Sequence, residues 1–182
     1  MKIKIGVMGS ADDALPQGVG QKLREKAKEL GRAIGKSDAT LLTGATTGLV
    51  YITGQAAHES GALHIGISPA GNLQEHIEEY DLPTDACDAI IYTGFGLKGR
   101  NVVLVRSCDI VVFIAGSIGA LNEFTIAYDE GKVIGCLTQT GGVADEVTHL
   151  LRTFPKETRA RIFQDDDATR LIDSCIAAIA ED

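Results

Sequence analysis

Short apolar runs rich in Ile and Val punctuate this sequence, and the most apolar of them is IVVFI at residues 110–114. Runs of this kind, separated by longer segments with helical periodicity, predict strands joined by crossover helices in a parallel sheet. IVVFI is apolar on both faces, as expected for a central strand covered on both sides. The predicted strands are residues 2–8, 39–43, 63–68, 89–92, 109–114 and 133–137, with a weaker seventh run at 161–163.

The segments between these runs carry apolar residues at helical spacing. Val19, Leu23, Ala27, Leu30 and Ile34 follow at intervals of four, four, three and four residues, so they form one stripe of a surface helix. Further helices are predicted at residues 47–59, 98–107, 119–130, 143–153 and 168–180. The whole pattern predicts an α/β chain with a single doubly wound, Rossmann-like domain and a mostly parallel sheet of six or seven strands.

The size and charge of the chain limit its partners. Its 182 residues suit one domain with its own core, and no linker, repeat or low-complexity segment divides residues 1–182. The net charge of -8 argues against a nucleic-acid partner, because binding a phosphate backbone requires clustered Lys and Arg. A small anionic ligand remains compatible, since backbone N–H groups and one or two Arg can supply a local positive field.

The cysteines and the N-terminus bear on the compartment. The four cysteines show no CxxC spacing and lie in or beside apolar stretches, which predicts buried free thiols in a reducing cytoplasm. No apolar run approaches the roughly 18 residues of a membrane span, and the first residues lack the apolar region of a signal peptide. The four histidines lack metal-ligand spacing. We therefore expect a cytoplasmic protein with no membrane partner, no metal and no resident cofactor.

Ligands of open parallel sheets bind at the carboxyl ends of the strands, so the loops there form the candidate site. After the first strand, Gly9 permits a tight turn, and the Ser10 hydroxyl is a candidate phosphate or ribose contact. An ordinary turn in which Ser10 or Asp12 bonds to the backbone fits equally well. The sequence TGATTG at residues 43–48 then leads directly into a helix and predicts an anion-binding loop. Its candidate contacts are Gly44, Thr46, Thr47 and Gly48.

A second glycine-rich turn, AGSIGA at residues 115–120, follows the fifth strand. Its candidate contacts are Gly116, Ser117, Gly119 and Ala120. Glu123, about one turn into the next helix, is a candidate base, nucleophile or ribose hydroxyl acceptor. The alternative for Glu123 is a favourable charge in the first turn of a helix. Arg100 is a candidate phosphate clamp, and its alternative is an ordinary surface Arg.

These loops together resemble the Lonely Guy (LOG) family, often labelled lysine-decarboxylase-like, of Rossmann-type nucleotide-binding proteins. The family signature P-G-G-x-G-T-x-x-E is matched here by A-G-S-I-G-A-L-N-E at residues 115–123, and the family's Arg-Lys pair falls on Arg100-Asn101. Further matches are Gly44, Gly48, Leu49, Gly61, Ile65, Gly66, Ile67 and Pro69.

The resemblance implies a homodimer that cleaves the N-glycosidic bond of nucleoside 5′-monophosphates, with Arg100 and Glu123 catalytic, releasing base and ribose 5-phosphate. It also implies an alternative, because relatives such as molybdenum-cofactor carrier proteins bind a nucleotide-like or pterin cofactor without cleaving it. The signature is altered at Ala115, Ser117 and Ala120, and Asn101 removes a positive charge that would help to neutralise phosphate. Lysine decarboxylation is not expected, because no lysine lies in a convincing pocket for pyridoxal phosphate.

Overall fold

Seven strands form one sheet in the computed structural model, which describes residues 1–11 and 19–180. The strands are β1 Lys4–Gly9, β2 Thr40–Thr43, β3 Leu63–Ser68, β4 Ala89–Tyr92, β5 Ile110–Ile114, β6 Val133–Leu137 and β7 Arg161–Asp165. Every neighbouring pair is parallel, and the order across the sheet is β4-β3-β2-β1-β5-β6-β7. The α/β class and the doubly wound, Rossmann-like arrangement are therefore confirmed, and the described sheet is parallel throughout rather than mostly parallel.

Helices accompany the strands in chain order. They are α1 Val19–Lys36, α2 Gly48–Glu59, α3 Leu73–Glu78, α4 Gly96–Ser107, α5 Ile118–Asp129, α6 Gly142–Thr153 and α7 Ala168–Ala180. The sequence pattern predicted six of these and missed α3, which has only six residues and so is too short to show an apolar repeat. The Asn72 side chain caps α3 by accepting a hydrogen bond from Glu75 N at 3.0 Å.

Strand β5 shows why both faces of the sheet must be covered. All five of its side chains are fully buried: Ile110, Val112 and Ile114 pack with α1 and α7 on one face, whereas Val111 and Phe113 pack with α5 and α6 on the other. Successive strand residues point to opposite faces, so an uninterrupted apolar run requires two apolar layers.

Other sequence predictions are also tested by the fold. The predicted stripe of α1 is buried at its four positions from residue 23 to residue 34, whereas the Val19 side chain lies outside the described residues. All four cysteines are free thiols, and three of them are buried. Among the described residues, no helix is both long enough and apolar enough to cross a membrane.

Candidate functional site

A cleft of about 170 Å³ lies at the carboxyl ends of β1, β2 and β5. The strand order changes direction there, since β2 to β4 extend from one side of β1 and β5 to β7 from the other. The first turns of α4 and α5 complete the walls of the cleft. Eight of the predicted site residues line it, namely Gly9, Gly44, Thr46, Arg100, Ser117, Gly119, Ala120 and Glu123. The remaining predicted residues belong to the same loops without lining the cleft, namely Ser10, Thr47, Gly48 and Gly116. The fold thus brings together both glycine-rich loops, the guanidinium and the carboxyl.

Arg100 is a buried residue of the cleft rather than an ordinary surface Arg, since only 6% of it is exposed. Its Nη1 donates to Ile67 O at 3.3 Å, and its buried Nε has no hydrogen-bond partner among the described residues. Burial lowers the pKa of Arg100, while the charge of Glu123 opposes that shift. A guanidinium has five N–H donors, and only one described hydrogen bond uses them here.

Glu123 lies inside the cleft and is 8% exposed. It is the sixth residue of α5, beyond the first turn, so the alternative of a first-turn helix charge does not describe it. Burial raises the pKa of its carboxyl to about 7, although the charges of Arg100 and Lys98 oppose the rise. The Glu123 carboxyl therefore keeps its proton to a higher pH than an exposed carboxyl does.

Asn101 holds the Glu123 carboxyl in place. With its amide nitrogen facing Glu123, Asn101 donates to Glu123 Oε1 at 3.1 Å and to Leu97 O at 2.9 Å. The opposite orientation would point the Asn101 amide oxygen at two acceptors, Glu123 Oε1 and Leu97 O. The first orientation also requires the Asn122 amide nitrogen to face the Asn101 oxygen, 2.9 Å away. Asn101 stands where the family pair has lysine, so here a neutral amide replaces a charge beside the carboxyl.

The loop after β5 leaves the N-terminus of α5 uncapped. A Cβ on Gly116, whose φ is +99°, would lie 2.5 Å from Ala120 Cβ, so glycine is required there. Ser117 makes no side-chain cap hydrogen bond, and Leu121 N donates to Ser117 O at 2.9 Å. No described residue outside the helix accepts a hydrogen bond from the N–H groups of residues 118–120, which lie at the positive end of the helix dipole.

The loop after β2 is partly used by the protein itself. The Thr47 hydroxyl donates to Ala11 O, and Leu49 N donates to Ser10 O at 3.0 Å. Gly48 has a φ of +70°, and a Cβ there would lie 2.6 Å from Ser10 O. These groups therefore hold the loop after β1 against the start of α2.

Strand β1 ends in close contact with β5. A Cβ on Gly9 would lie 2.4 Å from Ile114 O, so only glycine allows this approach. Asp12, which the sequence offered as a turn-forming residue, lies outside the described residues.

Lys98 is a cleft residue that the sequence reasoning did not single out. It lies in the first turn of α4, and a Cβ built on Gly119 would lie 3.6 Å from its Nζ. The signal was its position two residues before Arg100, but an exposed lysine at a helix start resembles any solvated charge. The other lining residues that it missed are Val7, Met8, Ala11, Val50 and Leu97, whereas Asn101 was noted only as a departure from the family's Arg-Lys pair.

His64 stabilises the loop after β2 through a buried hydrogen-bond network. Its Nδ1 donates to Ala86 O, its Nε2 accepts from Thr43 Oγ1 at 2.8 Å, and Thr43 Oγ1 accepts from Ala45 N at 3.2 Å. Burial is the main cause that lowers the pKa of His64, which favours the neutral ring that this network needs. In the described part of the chain, no group of three or more His, Cys, Asp or Glu residues is placed to hold a metal ion.

A doubly wound parallel sheet defines a Rossmann-like protein. Its glycine-lined cleft lies at the switch point of the strand order, where such folds bind their ligands. The chain belongs to the SLOG cluster4 family, whose model matches residues 2–172. This match confirms the LOG-like resemblance that the signature residues indicated.

The chain is also similar to individual proteins and solved structures. An uncharacterized protein of Archaeoglobus fulgidus is 27% identical over 135 residues, which cover 74% of this chain and 80% of that protein. The X-ray structure of TM1055 is 28% identical, with a TM-score of 0.79 over 96% of this chain and 99% of that one. The molybdenum cofactor binding protein from the phototrophic bacterium Rippkaea orientalis is 27% identical, with a TM-score of 0.76 over 98% of both chains.

Proposed function

We propose that this chain binds a small phosphorylated ligand, either nucleotide-like or of the pterin type, and holds it as a carrier without cleaving it. The observation that carries the proposal is the buried Arg100 guanidinium, which lines the cleft and donates one described hydrogen bond, from Nη1 to Ile67 O. A buried charged donor without an acceptor is costly. A phosphate oxygen in the cleft would accept a charge-assisted hydrogen bond from this guanidinium.

The rest of the cleft suits the same end of a ligand. The uncapped N-terminus of α5 offers N–H groups beside Gly119 and Ala120, which is a favourable environment for an anion. Glycine at positions 9, 44 and 119 keeps side chains out of the cleft. A molybdenum-bearing pterin with a phosphate tail would therefore bind in this cleft by its phosphate. The similarity to the molybdenum cofactor binding protein from Rippkaea orientalis favours such a ligand.

The contacts of Glu123 suit a residue that binds a ligand. Its Oε1 accepts a hydrogen bond from Asn101 at 3.1 Å, which holds the carboxyl against α4. The same carboxyl is suited to bind a ligand hydroxyl or ring N–H as a neutral or charged partner.

The second candidate is a phosphoribohydrolase that acts on nucleoside 5′-monophosphates, with Arg100 and Glu123 as its catalytic pair. The observation that favours it is that both side chains line one cleft. A carboxyl with a pKa of about 7 also matches what a general acid needs near neutral pH.

One experiment separates the two candidates. Purified protein is incubated with a panel of nucleoside 5′-monophosphates and, separately, with released molybdenum cofactor, and both binding and free base are measured. A carrier binds saturably and releases no base or ribose 5-phosphate. If the parent releases base from any monophosphate and Glu123→Gln does not, the carrier proposal is wrong and the hydrolase is supported.

We also propose that the protein is a cytoplasmic homodimer. Helix α4 leaves part of its apolar surface uncovered: Val105 is fully buried and Val103 packs on the core, whereas Val102 is 42% exposed. Leu97 and Ile118 are 54% and 74% exposed at the starts of α4 and α5, so an apolar area remains for a second copy. Light scattering should report twice the 19.2 kDa chain mass, and a 19.2 kDa particle at micromolar concentration would contradict the dimer.

A further inference from the structure

We infer that Lys98 supplies the second positive charge of the phosphate site, taking the part that the residue after Arg100 has in the family signature. This inference rests on the proposed phosphate site and assigns it a residue outside the signature. It predicts that the phosphate lies at the N-terminus of α5, between the ammonium of Lys98 and the guanidinium of Arg100.

The position of the ammonium is the first argument. A Cβ built on Gly119 would lie 3.6 Å from Lys98 Nζ, so the charge lies directly over the first turn of α5. In the described part of the chain, no salt bridge or hydrogen bond uses Lys98 Nζ. The ammonium is therefore available to an anion held by the N–H groups of residues 118–120.

Helix geometry is the second argument. Lys98 and Asn101 are three residues apart on α4, so their side chains lie on one face, and both line the cleft. Helical side chains lean toward the N-terminus, and a lysine has a long flexible stem. A charge at position 98 can thus serve the same cleft as a charge at position 101.

The separation of roles is the third argument. Asn101 donates to Glu123 Oε1 at 3.1 Å and is 3% exposed, so it is committed to the carboxyl. Lys98 is exposed, its charge acts on Glu123, and no described hydrogen bond or salt bridge holds its ammonium, so it can follow the phosphate as the ligand enters. Asn101 therefore holds the carboxyl and Lys98 provides the charge for the phosphate, two roles that one lysine at position 101 would have to combine.

The test measures binding of ribose 5-phosphate by titration calorimetry at low and high salt, because a phosphate probe avoids the unknown heterocycle. Lys98→Met should bind about five- to tenfold more weakly than the parent at low salt, with a smaller difference at high salt. Lys98→Arg should bind nearly as well as the parent. Lys2→Met is the matched control, since Lys2 pairs with Asp38 at the surface and the variant has the same net charge as Lys98→Met.

The double variant Lys98→Met/Asn101→Lys moves the charge to the signature position and should recover most of the lost affinity. If Lys98→Met binds as tightly as Lys2→Met while Arg100→Met binds weakly, Lys98 is not part of the site, although the phosphate site stands. If the parent itself does not bind ribose 5-phosphate, the proposed phosphate site is wrong and the inference falls with it.

Discussion

Gly44 makes room for Arg100: a Cβ at position 44 would lie 1.6 Å from Arg100 Nη1. The guanidinium of α4 therefore lies against bare backbone after β2, where it also reaches Ile67 O at the end of β3. The glycine of the loop after β2 is thus required by the arginine more directly than by any ligand.

Replacing this glycine should displace the guanidinium. Gly44→Ala is expected to weaken binding of ribose 5-phosphate by about tenfold or more, since the charge-assisted contact of Arg100 is lost. Gly71→Ala is the matched control, because the nearest atom to a Cβ there is the flexible Glu75 carboxylate at 3.2 Å. Unchanged binding in Gly44→Ala, measured by calorimetry, would mean that Arg100 does not contact the phosphate.

Glu123 should make stability depend on pH. Burial raises its folded pKa from 4.5 to about 7, so its contribution to stability is fully present below pH 4.5 and is lost as pH rises through 7. The free energy of unfolding of the parent, relative to that of Glu123→Gln, should therefore fall by up to about 3 kcal/mol as the pH rises. Urea unfolding at pH 5 and pH 8 measures this change, and a difference independent of pH would contradict a raised pKa.

His64 should act in the opposite direction. Burial lowers its folded pKa, so the stability that its neutral ring provides is present above the unfolded pKa of 6.5 and is lost as pH falls below it. The ring signals of His64 in an NMR titration should change only below pH 6.5, together with the Thr43 hydroxyl environment. A transition at or above pH 6.5 would show that the buried network does not hold a neutral ring.

The sequence predicted the strands and six of the seven described helices because their apolar patterns are local, and the run of β5 is apolar on both faces. Arg100 and Glu123 became candidates through their spacing in the family signature. Contacts between distant segments were out of reach. Asn101 meets Glu123 only when α4 and α5 pack together, and Thr47 binds Ala11 only once the loops after β1 and β2 are neighbours.

The most direct test of the phosphate site compares AMP with adenosine on the parent and on Arg100→Met, by titration calorimetry. The Arg–phosphate contact is worth roughly 1.5–3 kcal/mol, so Arg100→Met should bind AMP about ten- to a hundredfold more weakly, while adenosine binding changes little. Glu123→Ala should retain AMP binding. If Arg100→Met binds AMP as tightly as the parent while its melting temperature falls, Arg100 is a structural residue and the proposed site is wrong.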